Sequence, residues 1–146
     1  MIDRKHVGDE LPGHTVEVEP ARLRLFSQAI GEADPITTGA AAARAGFAPR
    51  PVPPTFLFTL ELERPDPFGW LAPLGVELSR VLHGEQSFAY HAPVVAGDRL
   101  TFAPRIADIQ SKRGGALELI VRETTVTNQA GTRVATLRAV LAVRNG

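Results

Sequence analysis

The chain contains no cysteine. That removes disulfides, thiolate nucleophiles and cysteine-based zinc sites, and it fits a reducing compartment. Net charge is also absent, because 16 Lys and Arg balance 16 Asp and Glu. No basic surplus exists to draw the chain to nucleic acid or to an anionic membrane. Little self-repulsion opposes association with another chain. No apolar run reaches the roughly 18 residues of a membrane span. The polar start, Met1-Ile2-Asp3-Arg4-Lys5-His6, leads into no apolar stretch, so no signal peptide is expected. The expectation is a soluble cytoplasmic protein. Proline is missing from Arg105 onward, although the chain has 12 in all. Proline cannot donate to a strand ladder, so the proline-free tail is where a continuous sheet is expected.

What is present is an ordinary globular balance: 146 residues, 44% apolar and 22% charged. This is one domain's worth of chain, residues 1–146, with enough apolar surface for one sizeable core. Pro20 opens a helix in which Leu23, Phe26 and Ile30 recur at helical spacing, Leu25 and Ala29 widen the stripe, and Gly31 stops it. Glu32 to Gly39 reads as a loop around Pro35, and Ala40 to Ala45 as a short helix. Pro49 to Pro54 holds four prolines and is extended or turned. Residues 64–78, rich in proline and glycine, read as a surface loop.

The second half reads as strands. Residues 85–91 put Phe88 and Tyr90 on one face, with His91 opposite. Pro93 to Asp98 is a connection with a Gly-Asp turn, and Leu100, Phe102 and Ile106 share the face of the next strand. Lys112-Arg113-Gly114-Gly115 and Asn128 to Gly131 are turns. Leu117, Leu119 and Val121 alternate with Glu118, Ile120 and Arg122. Ala135, Leu137, Ala139, Leu141 and Val143 repeat with a period of two. An antiparallel meander with one apolar face needs a cover. The apolar run Thr55–Leu62 is the best available, so it is expected as a helix wrapped by the sheet, with Leu137, Ala139 and Leu141 facing it. The fold class is α+β.

Several ordered segments carry a resemblance: Gly31-Glu32-Ala33-Asp34-Pro35-Ile36, Pro53-Pro54-Thr55-Phe56, His83 through His91, Pro93 through Asp98, Arg122-Glu123-Thr124 and Thr127-Asn128-Gln129. Together they resemble the N-terminal-type MaoC-like dehydratases of the hot-dog fold, over nearly the whole chain. The resemblance implies a long central helix wrapped by an antiparallel sheet, two such folds side by side, and acyl-thioester sites at their interface. It implies interconversion of (R)-3-hydroxyacyl and 2-enoyl thioesters. No metal or redox cofactor is implied; coenzyme A or an acyl carrier protein is the handle of the substrate.

Such chemistry needs a carboxylate and an imidazole to activate water and move protons. It needs donors for the developing enolate oxygen and an apolar tunnel for the acyl chain. Catalytic relatives carry D-x-N-P-L/I-H. The matching stretch here is Glu32-Ala33-Asp34-Pro35-Ile36-Thr37. Glu32 is a candidate base, but Thr37 stands where the imidazole belongs and does not titrate near neutrality. His83 is the other catalytic candidate. Thr55 and Phe56 offer backbone N–H groups at the helix start, where the dipole favours negative charge; Glu85 and Gln86 are further substrate-binding candidates. Phe56, Phe58, Leu60, Trp70 and Leu74 are tunnel or plain core, and Lys112 and Arg113, at a loop tip, either meet the phosphates of coenzyme A or form a solvated turn. The Thr37 departure points to a chain that acts with a partner subunit, in a homodimer or a heterodimer with a second MaoC-like chain. The alternatives are a non-catalytic acyl-thioester-binding subunit and a hot-dog acyl-CoA thioesterase.

Overall fold

The computed structural model describes residues 1–32 and 51–145. The sequence-expected loop from Ala33, its residue Thr37, and the helix expected at Ala40–Ala45 lie outside the described residues. Five strands form one antiparallel sheet in the order β1-β3-β4-β5-β2. They are β1 (His14–Glu17), β2 (Val81–Tyr90), β3 (Arg99–Lys112), β4 (Leu117–Thr127) and β5 (Arg133–Arg144). Helix α1 spans Pro20–Ala29 and helix α2 spans Phe56–Glu61.

Strands β3, β4 and β5 form the expected meander, because short turns join strands whose apolar residues alternate. Gly114 and Gly115, both at positive φ, make the first turn, and Gly131 the second. Ala135, Leu137, Ala139, Leu141 and Val143 are all buried on the inner face of β5. On β4 the inward row is Glu118, Ile120, Arg122, Thr124 and Val126, set opposite that apolar row by the register. One proline lies inside the sheet, at Pro104 of β3. It is tolerated because its carbonyl, and so its nitrogen, faces the N-terminal segment, where it accepts from the Leu11 N–H at 2.9 Å. No ladder bond to β4 is lost.

α2 is shorter than the long helix that the resemblance implies. Pro53 and Pro54 set its start, and Pro65 and Pro67 follow closely after its end, where a helix cannot be extended without losing N–H donors. Its Phe56, Leu57 and Leu60 are buried with Leu23 of α1, Phe102, Val126 and Leu137. A second apolar cluster contains Trp70, Leu71, Ile106, Ile120, Ala139 and Leu141. Leu137 therefore packs with α2, whereas Ala139 and Leu141 pack with Trp70 and Leu71.

That second cluster overturns the reading of residues 64–78 as a surface loop. Gly69–Leu74 forms a 3-10 segment that buries Trp70 and Leu71. α1 has its expected bounds, but Leu25 and Ile30 are 62% and 52% exposed. Only Leu23 and Phe26 of its expected stripe pack on the core.

Candidate functional site

Four of the six nominated residues, Thr55, Phe56, His83 and Gln86, lie at the start of α2 and on the inner face of β2, whereas Glu85 turns to the outer face and Glu32 follows α1. β2 begins at Val81, four residues earlier than residues 85–91, so His83 lies within the strand. The register with β5 breaks between His83 and Glu85. This β-bulge contains Gly84, whose missing Cβ would stand 3.1 Å from the Val140 carbonyl oxygen. A bulge changes the parity of the strand. His83 pairs with Leu141 and Gln86 with Ala139, both inner-face partners, while Glu85 pairs with Val140 and turns to the outer face. There Glu85 meets Arg138 at 3.7 Å, well exposed to solvent. The structure brings His83 and Gln86 to one face and separates Glu85 from them.

The His83 ring packs edge-on against Phe58 of α2, with centroids 5.4 Å apart. Gln86 has a buried Oε1 with no partner among the described residues. Tyr90, further along the same face, donates its hydroxyl to the Pro54 carbonyl at 2.8 Å. This phenol ties the end of β2 to the turn that starts α2. Burial raises its pKa from the model-compound value of 10.0 to about 12. Tyr90, Val52, Pro54 and Val94 wall a mostly apolar cleft of about 360 Å³, with His91 at its side. His91 lies on the opposite face from Tyr90, where its Nε2 meets Thr136 Oγ1 at 2.9 Å.

At the start of α2, Thr55 is exposed and Phe56 buried. The Phe56 N–H is committed to the Pro53 carbonyl at 2.9 Å, closing a turn. The Thr55 N–H has no backbone acceptor among the described residues. Glu32 follows α1; its backbone N–H donates to the Ser27 carbonyl at 2.8 Å, and its side chain is half-buried. Of the tunnel-or-core group, Phe56, Leu60 and Trp70 are buried in the two clusters and Leu74 packs against the second. Phe58 is half-buried against His83. Lys112 and Arg113 are exposed at the β3–β4 turn.

Sequence reasoning missed the buried polar group at the other end of α2. Glu61 and Arg122 form an ion pair at 2.8 Å, their side chains 4% and 7% exposed. Thr124 Oγ1 donates to Glu61 Oε1. The Arg122 guanidinium lies 5.8 Å from the centre of the Trp70 ring, a cation–π distance. Parity was the available signal: Arg122 and Thr124 share their row with Ile120 and Val126, so the row pointing at the core is partly polar.

This antiparallel sheet, with a helix packed on its inner face, is the hot-dog fold. Residues 5–137 match the family described as FAS1-like, dehydratase domain region, and the chain belongs to that family. A UPF0336 protein of Streptomyces avermitilis is 36% identical over 145 residues, covering 98% of this chain and 95% of the relative. Among solved structures, the HadBC (3R-hydroxyacyl-ACP dehydratase) complex of Mycobacterium tuberculosis superposes with a TM-score of 0.73 at 23% identity, over 94% of this chain and 96% of that one. The R-hydratase PhaJ1 of Pseudomonas aeruginosa gives 0.68 at 21%, over 96% and 83%. At these identities the two structures share the fold with this chain. Among the described residues no helix is long and apolar enough to cross a membrane.

Proposed function

We propose that the chain is a subunit of a hydro-lyase that interconverts (R)-3-hydroxyacyl and 2-enoyl thioesters, and that it acts with a second MaoC-like subunit. One observation carries this reading. His83 and Gln86 stand on β2, a sheet edge with no strand neighbour on its outer side among the described residues. An unpaired edge of ten residues is a ready surface for another chain, and a site at that edge gains its second wall from the partner. HadBC, which shares the fold, is a complex.

Hydration joins a water oxygen to the β-carbon as a base takes the water's proton; an acid then delivers a proton to the α-carbon. Between these events charge gathers on the thioester oxygen. In this reading His83 moves the proton, Glu32 provides the carboxylate, and the Thr55 N–H meets the thioester oxygen. Gln86 contacts the substrate from the inner face of β2, and the apolar cleft at Tyr90 receives part of it. Coenzyme A or a carrier protein holds the acyl group, and no other cofactor takes part. Thr37 leaves this chain without the imidazole of the D-x-N-P-L/I-H pattern, which the partner supplies.

The test is hydration of crotonyl-CoA and longer enoyl-CoA by the pure chain, then with a MaoC-like partner that carries D-x-N-P-L/I-H. Slow turnover alone and fast turnover in the mixture are expected. His83→Ala should lower the mixture's rate by about 10²–10⁴-fold. Full turnover by the chain alone, surviving both His83→Ala and Glu32→Ala, would refute the assignment.

A further inference from the structure

Four buried polar atoms where β1, α2, the 3-10 segment and β4 meet have no hydrogen-bond partner among the described residues. They are His14 Nδ1, Glu61 Oε2, Trp70 Nε1 and Arg122 Nε. Their residues line one small void of about 10 Å³. Glu61 Oε2 meets only the Arg122 guanidinium and the other three atoms meet no partner; an unpaired buried polar atom costs about 1–3 kcal/mol, so such a group around one void calls for a shared partner.

The neighbours fix what each atom can do. Trp70 Nε1 and Arg122 Nε carry hydrogens and only donate. Glu61 Oε2 only accepts; it lies 2.8 Å from Arg122 Nη2, which leaves it a second lone pair. His14 Nε2 lies 2.9 Å from the Leu60 carbonyl oxygen. That oxygen can only accept, so Nε2 carries a hydrogen and Nδ1 is left as the ring's acceptor nitrogen. Stacking of the ring on Phe102, with centroids 5.0 Å apart, holds it in place. The void thus collects two donors and two acceptors.

We infer that this void is a binding site for a single structural water molecule. The water accepts from Trp70 Nε1–H and Arg122 Nε–H and donates to His14 Nδ1 and Glu61 Oε2. Its two lone pairs and two hydrogens match that set one for one. A void this size has room for one water, which needs two to four polar partners. No other common ligand of that size both donates twice and accepts twice. The water links four elements at the end of α2 away from Thr55, and it holds the Glu61–Arg122 pair between the two apolar clusters. Leu11, Arg64 and Trp70 also line an open cavity of about 530 Å³, which gives the water its route to solvent. The site is independent of the hydro-lyase reading.

The chain has one tryptophan, so its indole N–H gives a single proton resonance. In solution that resonance should show a cross-peak to water with the rotating-frame sign of dipolar transfer from a bound molecule, not of hydrogen exchange. Nitrogen-15 correlations should show His14 protonated at Nε2 and bare at Nδ1. A crystal structure of the full chain should place one water about 2.7–3.2 Å from all four atoms. A dry void, four atoms bonded directly to one another, or a His14 ring protonated at Nδ1 with its indole neighbour silent to water would overturn the assignment.

Discussion

Tyr90 is the chain's one tyrosine, which makes its titration directly readable. Burial sets its pKa near 12 against 10.0 for a free phenol, although 37% of the residue's surface meets solvent. Ionisation would also remove the hydrogen bond to Pro54. The phenolate absorbance of the native chain should therefore reach its midpoint about two pH units above that of the unfolded chain. The unfolded chain releases this proton first, so the associated stability is complete below pH 10 and is lost as pH rises towards 12. Tyr90→Phe should flatten that part of the stability profile. The Glu61–Arg122 pair gives a second prediction. Removing one partner of a buried pair leaves an uncompensated charge and costs about 3–5 kcal/mol, whereas replacing both by apolar residues is often near neutral. Arg122→Met should thus lower the urea midpoint strongly, and Glu61→Leu combined with Arg122→Met should recover most of the loss. At this scale the sequence was a partial guide. It picked out His83, because an imidazole beside a glycine is conspicuous. It passed over Glu61, which looks like one acid closing the apolar run FLFTLEL, since nothing local shows that Arg122 and Thr124 come from 61 and 63 residues away to meet it.

Among the elements, those with a clean period were legible. β5 has five apolar residues two apart, and α1 has a proline to start it and a glycine to stop it. The bulge in β2 was not legible, because a bulge depends on the partner strand and not on the strand's own pattern. Without it, His83 and Glu85 would share a face; with it, Gln86 takes the inner place. The 3-10 segment at Gly69–Leu74 was hidden for a different reason. Its prolines and glycines have the composition of a loop, and only packing shows that Trp70 and Leu71 are core. The bulge can be tested through its glycine. A Cβ at Gly84 would approach the Val140 carbonyl to 3.1 Å, whereas one at Gly13 would approach the Phe102 carbonyl to 2.5 Å. Both contacts are to sheet backbone, which yields little. Gly84→Ala should lower stability by about 1–3 kcal/mol, and Gly13→Ala should lower it by more. Denaturant midpoints for the two variants give the order directly; equal midpoints would mean that the ladder gives way at both places.

For the whole molecule, the sheet's two ends behave differently. At β1 the free edge is four residues long, whereas at β2 it is ten. β2 contains no proline or lysine, the residues by which natural edges commonly discourage pairing. Leu82 within it and Leu78 just before it are 55% and 53% exposed. Zero net charge adds no long-range repulsion between copies or towards a relative. Together these features favour association along β2, the strand that also carries His83, for the proposed subunit. Leu82 is on the outer face, opposite Ala142, and a lysine there would remain solvated in the free chain. Leu82→Lys should therefore leave the thermal midpoint of the isolated chain nearly unchanged. In the assembly the same charge would be taken out of water without a partner. Dissociation constants from sedimentation, with the chain alone and with a MaoC-like partner, should rise at least about tenfold, equivalent to about 1.4 kcal/mol. Hydration activity of the mixture should fall in proportion to the complex lost and return at higher partner concentration, because the substitution leaves His83 and Gln86 in place. A variant that associates like the wild type would move the interface away from β2, and the second wall of the site with it.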